Sequence, residues 1–176
     1  MQKLLNLLVK LLYFNMKYDG IIDEILYYGE RSENGRWVIP IGVDWDFTIT
    51  KCSNWDEGTM DVNYDALKVM KEWSEKYNVG WILDTMRHDA IIEEPLKILK
   101  ENGIELYGLR KNPQQDKDGN SVPKCWCLFH IDDRNVGTPL MMVEGCDRPC
   151  VNWEEVDKIM SPVLQEISEK LDKARL

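Results

Sequence analysis

The stretch that decides the fold is Gly42-Val43-Asp44-Trp45-Asp46-Phe47-Thr48-Ile49-Thr50. It continues an almost unbroken apolar run that starts at Trp37, which is the pattern of a strand covered on both faces of a sheet. Asp44 and Asp46 are two residues apart, so in an extended backbone their side chains point to the same side, out of the carboxyl edge of the sheet. Open α/β sheets bind ligands at that edge.

Two carboxylates this close repel each other unless a cation lies between them or one of them holds a proton. An apolar strand that ends in Asp-x-Asp-x-Thr therefore favours a magnesium-dependent phosphoryl-transfer site. The alternative is a solvated acidic turn without chemistry, and such turns are common. Residues elsewhere in the chain distinguish these two interpretations.

Two more apolar runs end in residues that suit such a site. Residues 81–86 form a second predicted strand, with Thr85 near its end. Lys124 precedes a third run, residues 125–131, which is followed by Asp132-Asp133. The order along the chain is thus Asp-x-Asp-x-Thr, Thr, Lys and Asp-Asp, each at or near a strand end.

This order resembles the four motifs of the haloacid dehalogenase (HAD) superfamily of phosphohydrolases. The resemblance spans about residues 38–143, and the block Ile131-Asp132-Asp133-Arg134-Asn135-Val136-Gly137 is most similar to small capless members from bacteria. Capped members insert a domain after the first motif or between the second and third. Here residues 51–61 have room only for a short flap, and the loop before Lys124 is under about 15 residues, too short for a folded cap.

The resemblance implies a role for each motif residue. Asp44 would attack phosphorus and form an aspartyl-phosphate, and Asp46 would protonate the leaving oxygen and then activate water. Mg²⁺ would lie between Asp44, the backbone carbonyl of Asp46 and the acidic pair, because magnesium prefers oxygen ligands. Asp132 is favoured as a direct ligand, and Asp133 would bind directly or through water.

Thr85 and Lys124 are implied to act on the phosphoryl group itself. Thr85 would hydrogen-bond the transferring group, and Lys124 would pair with its charge. Thr48 is expected to support the loop after Asp46.

Two residues depart from the family pattern. Phe47 stands where the family usually has glycine; a bulky ring lacks the backbone freedom of glycine, and we expect it to narrow the entrance or stack on substrate. Asp84 lies where the strand should be buried, and we expect it to face a helix cap or to pair with Arg87 in a structural role. Neither departure removes a catalytic group.

Several side chains near the motifs are candidate substrate contacts, with packing, ion pairing or a solvated loop as the ordinary alternatives: Phe47, Trp55, Arg87, His88 and Arg134. His130, one residue before the end of the third strand, is predicted to be a core residue or to support the site.

Length and charge limit the remaining possibilities. A chain of 176 residues fits a single catalytic domain over residues 30–176, preceded by a helical segment over residues 1–29. The net charge of −9 argues against nucleic acid as a partner, since phosphate backbones require Lys/Arg patches. It is compatible with a phosphorylated substrate, small or macromolecular, because a bound metal inverts the local field.

The five cysteines are an odd number in a chain without secretory features. We interpret them as reduced, buried thiols of a cytoplasmic protein. A zinc site built from Cys125, Cys127, Cys146 and Cys150, with Cys52 or His130 as a further ligand, is the weaker alternative, because zinc knuckles favour tighter pairs in loops.

Residues 4–14 are almost wholly apolar, broken only by Asn6 and Lys10. The run is too short for a membrane span, which needs about 20 apolar residues, and it lacks a signal-peptide cleavage site. A helix that is apolar on most of its faces must be buried, either on the flank of the domain or against another chain. Self-association through this segment is the resulting hypothesis.

Apolar periodicity places helices around residues 21–28, 62–77, 91–99 and 156–171, with short strands at residues 104–109 and 140–143. Expected helix ends are Gly29, Asp61 or Asn63, Gly103 and a capping box from Asn152 to Glu155. Pro95 predicts a bend or a late helix start near Glu94. The alternation of strands and helices predicts a three-layer α/β fold, a doubly wound, mostly parallel sheet without a cap domain.

Two rival functions remain open. A phosphorylation-dependent signalling receiver also gathers aspartates, a Thr and a Lys at a sheet edge, but its acidic pair follows the first strand, whereas here the pair comes last. A non-catalytic phosphate-binding protein on this fold would not need the whole set of Asp44, Asp46, Thr85, Lys124 and Asp132. Magnesium-dependent release of phosphate from an aryl phosphate distinguishes an enzyme from both.

Overall fold

The computed structural model describes residues 18–53, 60–87, 90–110 and 126–174. In chain order these residues form α1 (Asp19–Tyr28), β1 (Ile39–Val43), β2 (Thr50–Ser53), β3 (Met60–Val62), α2 (Tyr64–Tyr77), β4 (Val79–Leu83), α3 (Ala90–Glu101), β5 (Leu106–Leu109), β6 (His130–Ile131), β7 (Leu140–Met141), β8 (Cys150–Val151) and α4 (Trp153–Lys173).

A four-stranded parallel sheet flanked by helices forms the centre of the fold. Its strand order is β5-β4-β1-β6, so the strand that carries the first acidic motif lies inside the sheet. Every residue of β1 and β4 is buried, as their continuous apolar sequences require. The predicted α/β fold with a doubly wound, mostly parallel sheet is confirmed.

Side-chain caps fix the start of two helices, as their sequences predict. The Asn63 side chain accepts a hydrogen bond from the Asp65 N–H at 3.2 Å at the start of α2, and Asn152 accepts one from the Glu155 N–H at 3.2 Å at the start of α4.

The predicted late start of α3 is wrong, since Pro95 lies inside this helix. Pro95 is buried together with Ile92 and Leu99, and this burial offsets the hydrogen bond that proline cannot donate.

Three buried indoles join the helices to the sheet. The ring centroids of Trp73, Trp81 and Trp153 are 5.8 to 6.5 Å apart. Each indole N–H has an acceptor: Trp73 donates to Asp157 Oδ1 at 2.7 Å and Trp81 to the Met70 carbonyl at 3.0 Å, while Trp153 donates to the Thr48 carbonyl at 2.7 Å. The last bond connects the core to the acidic loop after β1.

Two of the predicted strands are shorter or pair differently. The third strand was predicted over residues 125–131, and within the described part of it, residues 126–131, only β6 is regular, although the Leu128 N–H already donates to the Pro40 carbonyl at 2.7 Å. The last strand, predicted over residues 140–143, forms β7 and pairs antiparallel with β8 outside the main sheet. β2 and β3 form a separate antiparallel hairpin in the predicted flap.

His130 is not a core residue, contrary to one of the two predictions for it. Its side chain is 36% exposed, and its imidazole lies against Gly42, where any Cβ would overlap the ring. The Nδ1 atom lies 3.8 Å from the carboxylate of Asp84.

The prediction of reduced cysteines is wrong for two of the five. Cys52 and Cys146 form a disulfide, with their Cα atoms 5.7 Å apart and 94 residues of separation along the chain. Cys150 is a buried free thiol. The pair escaped prediction because its partners are 94 residues apart and no motif connects them, and one basis for the expected cytoplasmic location is thereby lost.

The described part of the N-terminal segment, α1, packs against α4, where Lys170 Nζ lies 3.1 Å from Asp19 Oδ1. Residues 4–14 lie outside the described residues, so self-association through them stays a prediction. Among the helices that the structure describes, none combines the length and apolarity needed to cross a membrane.

Candidate active site

The carboxyl ends of β1 and β6 bring three acidic side chains to one edge of the sheet. Asp44 follows β1 directly, and its N–H donates to the Ile131 carbonyl at 3.0 Å, which locks the two strand ends together. Asp132 and Asp133 follow β6. One carboxylate oxygen from each of the three lies within 4.8 Å of the others. The resemblance to the HAD motifs implies that these residues are metal ligands, and the structure brings their carboxylates together.

This donor set fits a magnesium ion. Asp44, Asp132 and Asp133 offer only oxygen atoms, the ligand type that magnesium prefers. A cation among them relieves the repulsion of three neighbouring negative charges. The backbone carbonyl of Asp46, the further ligand that the resemblance implies, stays a prediction.

Burial raises the pKa of Asp44 from its ordinary value of 3.8 to about 7. The backbone N–H of Trp45 opposes this rise, while the negative charges of Asp132, Asp46 and Asp84 add to it. In the absence of a cation, Asp44 is therefore partly protonated at neutral pH.

The metal-free protein is expected to become less stable as the pH rises towards and through about 7. The folded-state pKa of Asp44 lies above its unfolded value, so the stabilising effect of the proton is complete below pH 3.8 and is lost above about pH 7. Melting temperatures of chelator-treated protein between about pH 5 and about pH 9 measure this loss. Asp44→Asn should remove most of the decline, whereas Asp23→Asn, at an exposed position of α1, should not. Equal slopes in Asp44→Asn and the unsubstituted protein would contradict the assignment.

Asp46 is held by a buried arginine. Arg87 donates from Nη2 to Asp46 Oδ1 at 2.7 Å and from Nε to Oδ2 at 3.1 Å. The Arg87 side chain is 5% exposed and that of Asp46 is 13% exposed. Such a two-point contact fixes the plane of the carboxylate.

The pairing of Arg87 with Asp84, one of the predictions, is wrong: Asp84 is 44% exposed and lies beside His130 instead. A contact of Arg87 with substrate stays a prediction.

Thr85 lies just beyond β4 and is buried. Its Oγ1 accepts a hydrogen bond from the Arg87 N–H at 3.2 Å. As the acceptor in that bond, the hydroxyl keeps its own proton for another oxygen. The predicted contact of Thr85 with a phosphoryl group is compatible with this arrangement and stays a prediction.

The structure corrects the expectation that Phe47, because of its bulky ring, lacks the backbone freedom of glycine. Its φ of 57° lies in the left-handed region, the conformation that glycine would adopt, so the bulky residue does take that backbone geometry. The ring is 7% exposed, and the Arg148 guanidinium lies 4.1 Å from its centroid. Little of the ring is left for a substrate, and its observed role is to pack beneath Arg148.

Hydrogen bonds on both sides of Phe47 hold this conformation. The Phe47 N–H donates to Thr50 Oγ1 at 3.0 Å, and the Phe47 carbonyl accepts from the Val151 N–H at 2.8 Å. The next residue, Thr48, accepts at Oγ1 from the Asp133 N–H at 3.1 Å. Thr48 therefore joins the first acidic motif to the last one, which confirms that it supports this loop.

Asp132 and Asp133 differ in their partners. Asp132 Oδ1 accepts from the Arg134 N–H at 2.7 Å within its own loop. The Asp133 carboxylate is 6% exposed and forms an ion pair with Arg148 through Oδ2 and Nη2. Arg134 itself is exposed beside the pair, and its role as a substrate contact stays a prediction.

Three predicted site residues, Trp55, His88 and Lys124, lie outside the described residues. Sequence reasoning in turn missed Arg148. It follows β7 by several residues in a polar loop, and no periodic or motif signal marks it. The Phe47 departure was the only hint, because a buried ring in the acidic loop needs a neighbour to cover it.

Comparison with protein-family models and with curated proteins yields no match. The fold is similar to that of a conserved protein from Bacteroides thetaiotaomicron with a solved structure. The TM-score is 0.55 and the identity 20%, over 72% of this chain and 92% of that one. At this identity the likeness extends to the fold alone.

Proposed function

We propose that this chain is a magnesium-dependent phosphomonoester hydrolase of the HAD type. The observation that carries the proposal is the cluster of Asp44, Asp132 and Asp133 at the carboxyl edge of the sheet, with Asp46 fixed two residues beyond Asp44. A solvated acidic turn would not require a buried arginine to orient Asp46. The motif order along the chain adds support independent of this geometry.

The reaction proceeds in two balanced halves. An Asp44 oxygen attacks phosphorus, the bond from phosphorus to the leaving oxygen breaks, and Asp46 gives its proton to that oxygen. Asp46 then takes a proton from water, the water oxygen attacks the same phosphorus, and the bond from phosphorus to the Asp44 oxygen breaks, which releases inorganic phosphate and restores the Asp44 carboxylate. Arg87 holds the Asp46 carboxylate in a fixed orientation during both proton transfers.

The acidic cluster would hold magnesium through Asp44, Asp132 and Asp133. When bound, the ion supplies positive charge that offsets the charge of the transferring phosphoryl group. Thr85 and Lys124 would contact that group, as the resemblance implies. A phosphorylated small molecule or macromolecule is the partner this function requires.

Purified protein is expected to release p-nitrophenol from p-nitrophenyl phosphate in the presence of magnesium. Absorbance measures the rate, and excess chelator should abolish it because the three carboxylates are then left without a cation. Restoring magnesium should restore turnover. Binding of inorganic phosphate without any turnover would favour the non-catalytic alternative, and activity in excess chelator would contradict the metal assignment.

A further inference from the structure

Arg148 reaches the acidic site from a loop that carries none of the four motifs. Its Nη2 pairs with Asp133 Oδ2, and its guanidinium covers the Phe47 ring at 4.1 Å from the centroid. The guanidinium thus contacts both ends of the site at once, the loop after β1 through Phe47 and the loop after β6 through Asp133.

The loop that carries Arg148 is anchored on both sides of it. Two residues earlier, Cys146 is joined to Cys52 of β2 by the disulfide. Three residues later, the Val151 N–H donates to the Phe47 carbonyl at 2.8 Å. The guanidinium therefore approaches Asp133 from a fixed direction.

Asp133 is constrained at its backbone and at one carboxylate oxygen. Its N–H donates to Thr48 Oγ1 at 3.1 Å, and Arg148 occupies Oδ2. One oxygen of this constrained carboxylate lies within 4.8 Å of the carboxylate oxygens of Asp44 and Asp132. Without Arg148, a carboxylate that is 6% exposed would lose its charged partner and its orientation.

We propose that Arg148 is a positioning residue that orients Asp133 and thereby sets the magnesium affinity of the site. The inference rests on the proposed function for the identity of the cation, but it assigns Arg148 no part in the chemistry. Groups that hold a metal ligand in place typically contribute about 10–100-fold to metal affinity.

Isothermal titration with magnesium chloride tests this without any turnover. Arg148→Met keeps an unbranched side chain over Phe47 but removes the ion pair, and it should raise the magnesium dissociation constant about 10–100-fold. Arg148→Lys keeps the charge without the planar fork and should fall between Met and the native residue. Arg31→Met is the matched control: Arg31 lies over the Trp37 ring, 4.7 Å from its centroid, so the same substitution removes a ring-covering guanidinium elsewhere.

The outcomes separate the two proposals. Native protein that binds magnesium, with Arg148→Met binding it as tightly or more tightly, would overturn the positioning role and leave the phosphatase proposal standing. Native protein that binds no magnesium would overturn both. If Arg148→Met does not fold, the titration of Arg148→Lys decides. Native-like magnesium affinity in that variant would contradict the proposal that the planar guanidinium of Arg148 orients Asp133.

Discussion

Asp44→Asn is expected to hydrolyse p-nitrophenyl phosphate about 10³-fold or more slowly than the native protein at saturating magnesium, because an amide cannot attack phosphorus at a useful rate. The loss should appear in kcat, since the substituted group forms its bond to phosphorus only during the reaction. Trapping experiments should likewise find no phosphorylated protein, whereas native protein quenched during turnover should carry one phosphoryl group on Asp44.

The matched control is Asp84→Asn, which removes one carboxylate from the same edge of the sheet. Asp84 follows β4 as Asp44 follows β1, but its side chain is 44% exposed and lies outside the acidic cluster. Its substitution should slow turnover by less than about tenfold, the effect of one changed charge near the site. Comparable losses in both variants would show that charge at this edge, and not a nucleophile at Asp44, governs the rate.

Asp46→Asn is expected to lower kcat about 10²–10⁴-fold, the usual contribution of a general acid and base. Its magnesium affinity should stay close to native, because the contact implied for Asp46 is its backbone carbonyl. The amide oxygen can still accept the shorter of the two hydrogen bonds from Arg87, the one from Nη2, whereas the bond from Nε loses its acceptor.

Asp132→Asn should instead weaken magnesium binding more than it slows the chemical step at saturating magnesium. Loss of a carboxylate ligand should raise the magnesium dissociation constant about tenfold or more, with turnover partly recovered at high magnesium. Calorimetry of both variants, paired with rates over a magnesium series, separates the two roles. Equal magnesium affinity in the two variants would mean that Asp132 is not a direct ligand.

Strands and helix starts could be predicted from local sequence patterns because each pattern depends only on residues that are neighbours in the chain. The continuous apolar runs gave the two buried strands β1 and β4, and Asn63 and Asn152 marked the helix starts where they fall. The grouping of Asp44 with Asp132 and Asp133 came from the resemblance to the HAD motifs, and it agrees with a parallel sheet, in which the carboxyl ends of the strands meet at one edge.

What escaped prediction depends on partners that are distant along the chain. Arg87 was predicted to contact substrate or to pair with Asp84, but its pairing with Asp46 depends on side-chain directions after β4. The disulfide and the Arg148 ion pair join the flap and the acidic loops to a segment after β7 that carries no recognisable pattern. Spacing along a sequence carries no information about such pairings.

The left-handed backbone at Phe47 restricts which residues position 47 can accept. Glycine would relieve a conformational cost of about 1–2 kcal/mol, yet it would take away the ring beneath Arg148. Alanine would lose the ring and keep the cost, and a β-branched residue would raise that cost further. Few single replacements can therefore be neutral here, and exchange for glycine requires a compensating change at Arg148. A substitution at position 47 therefore changes which residues position 148 can accept, although the two positions are 101 apart in the sequence.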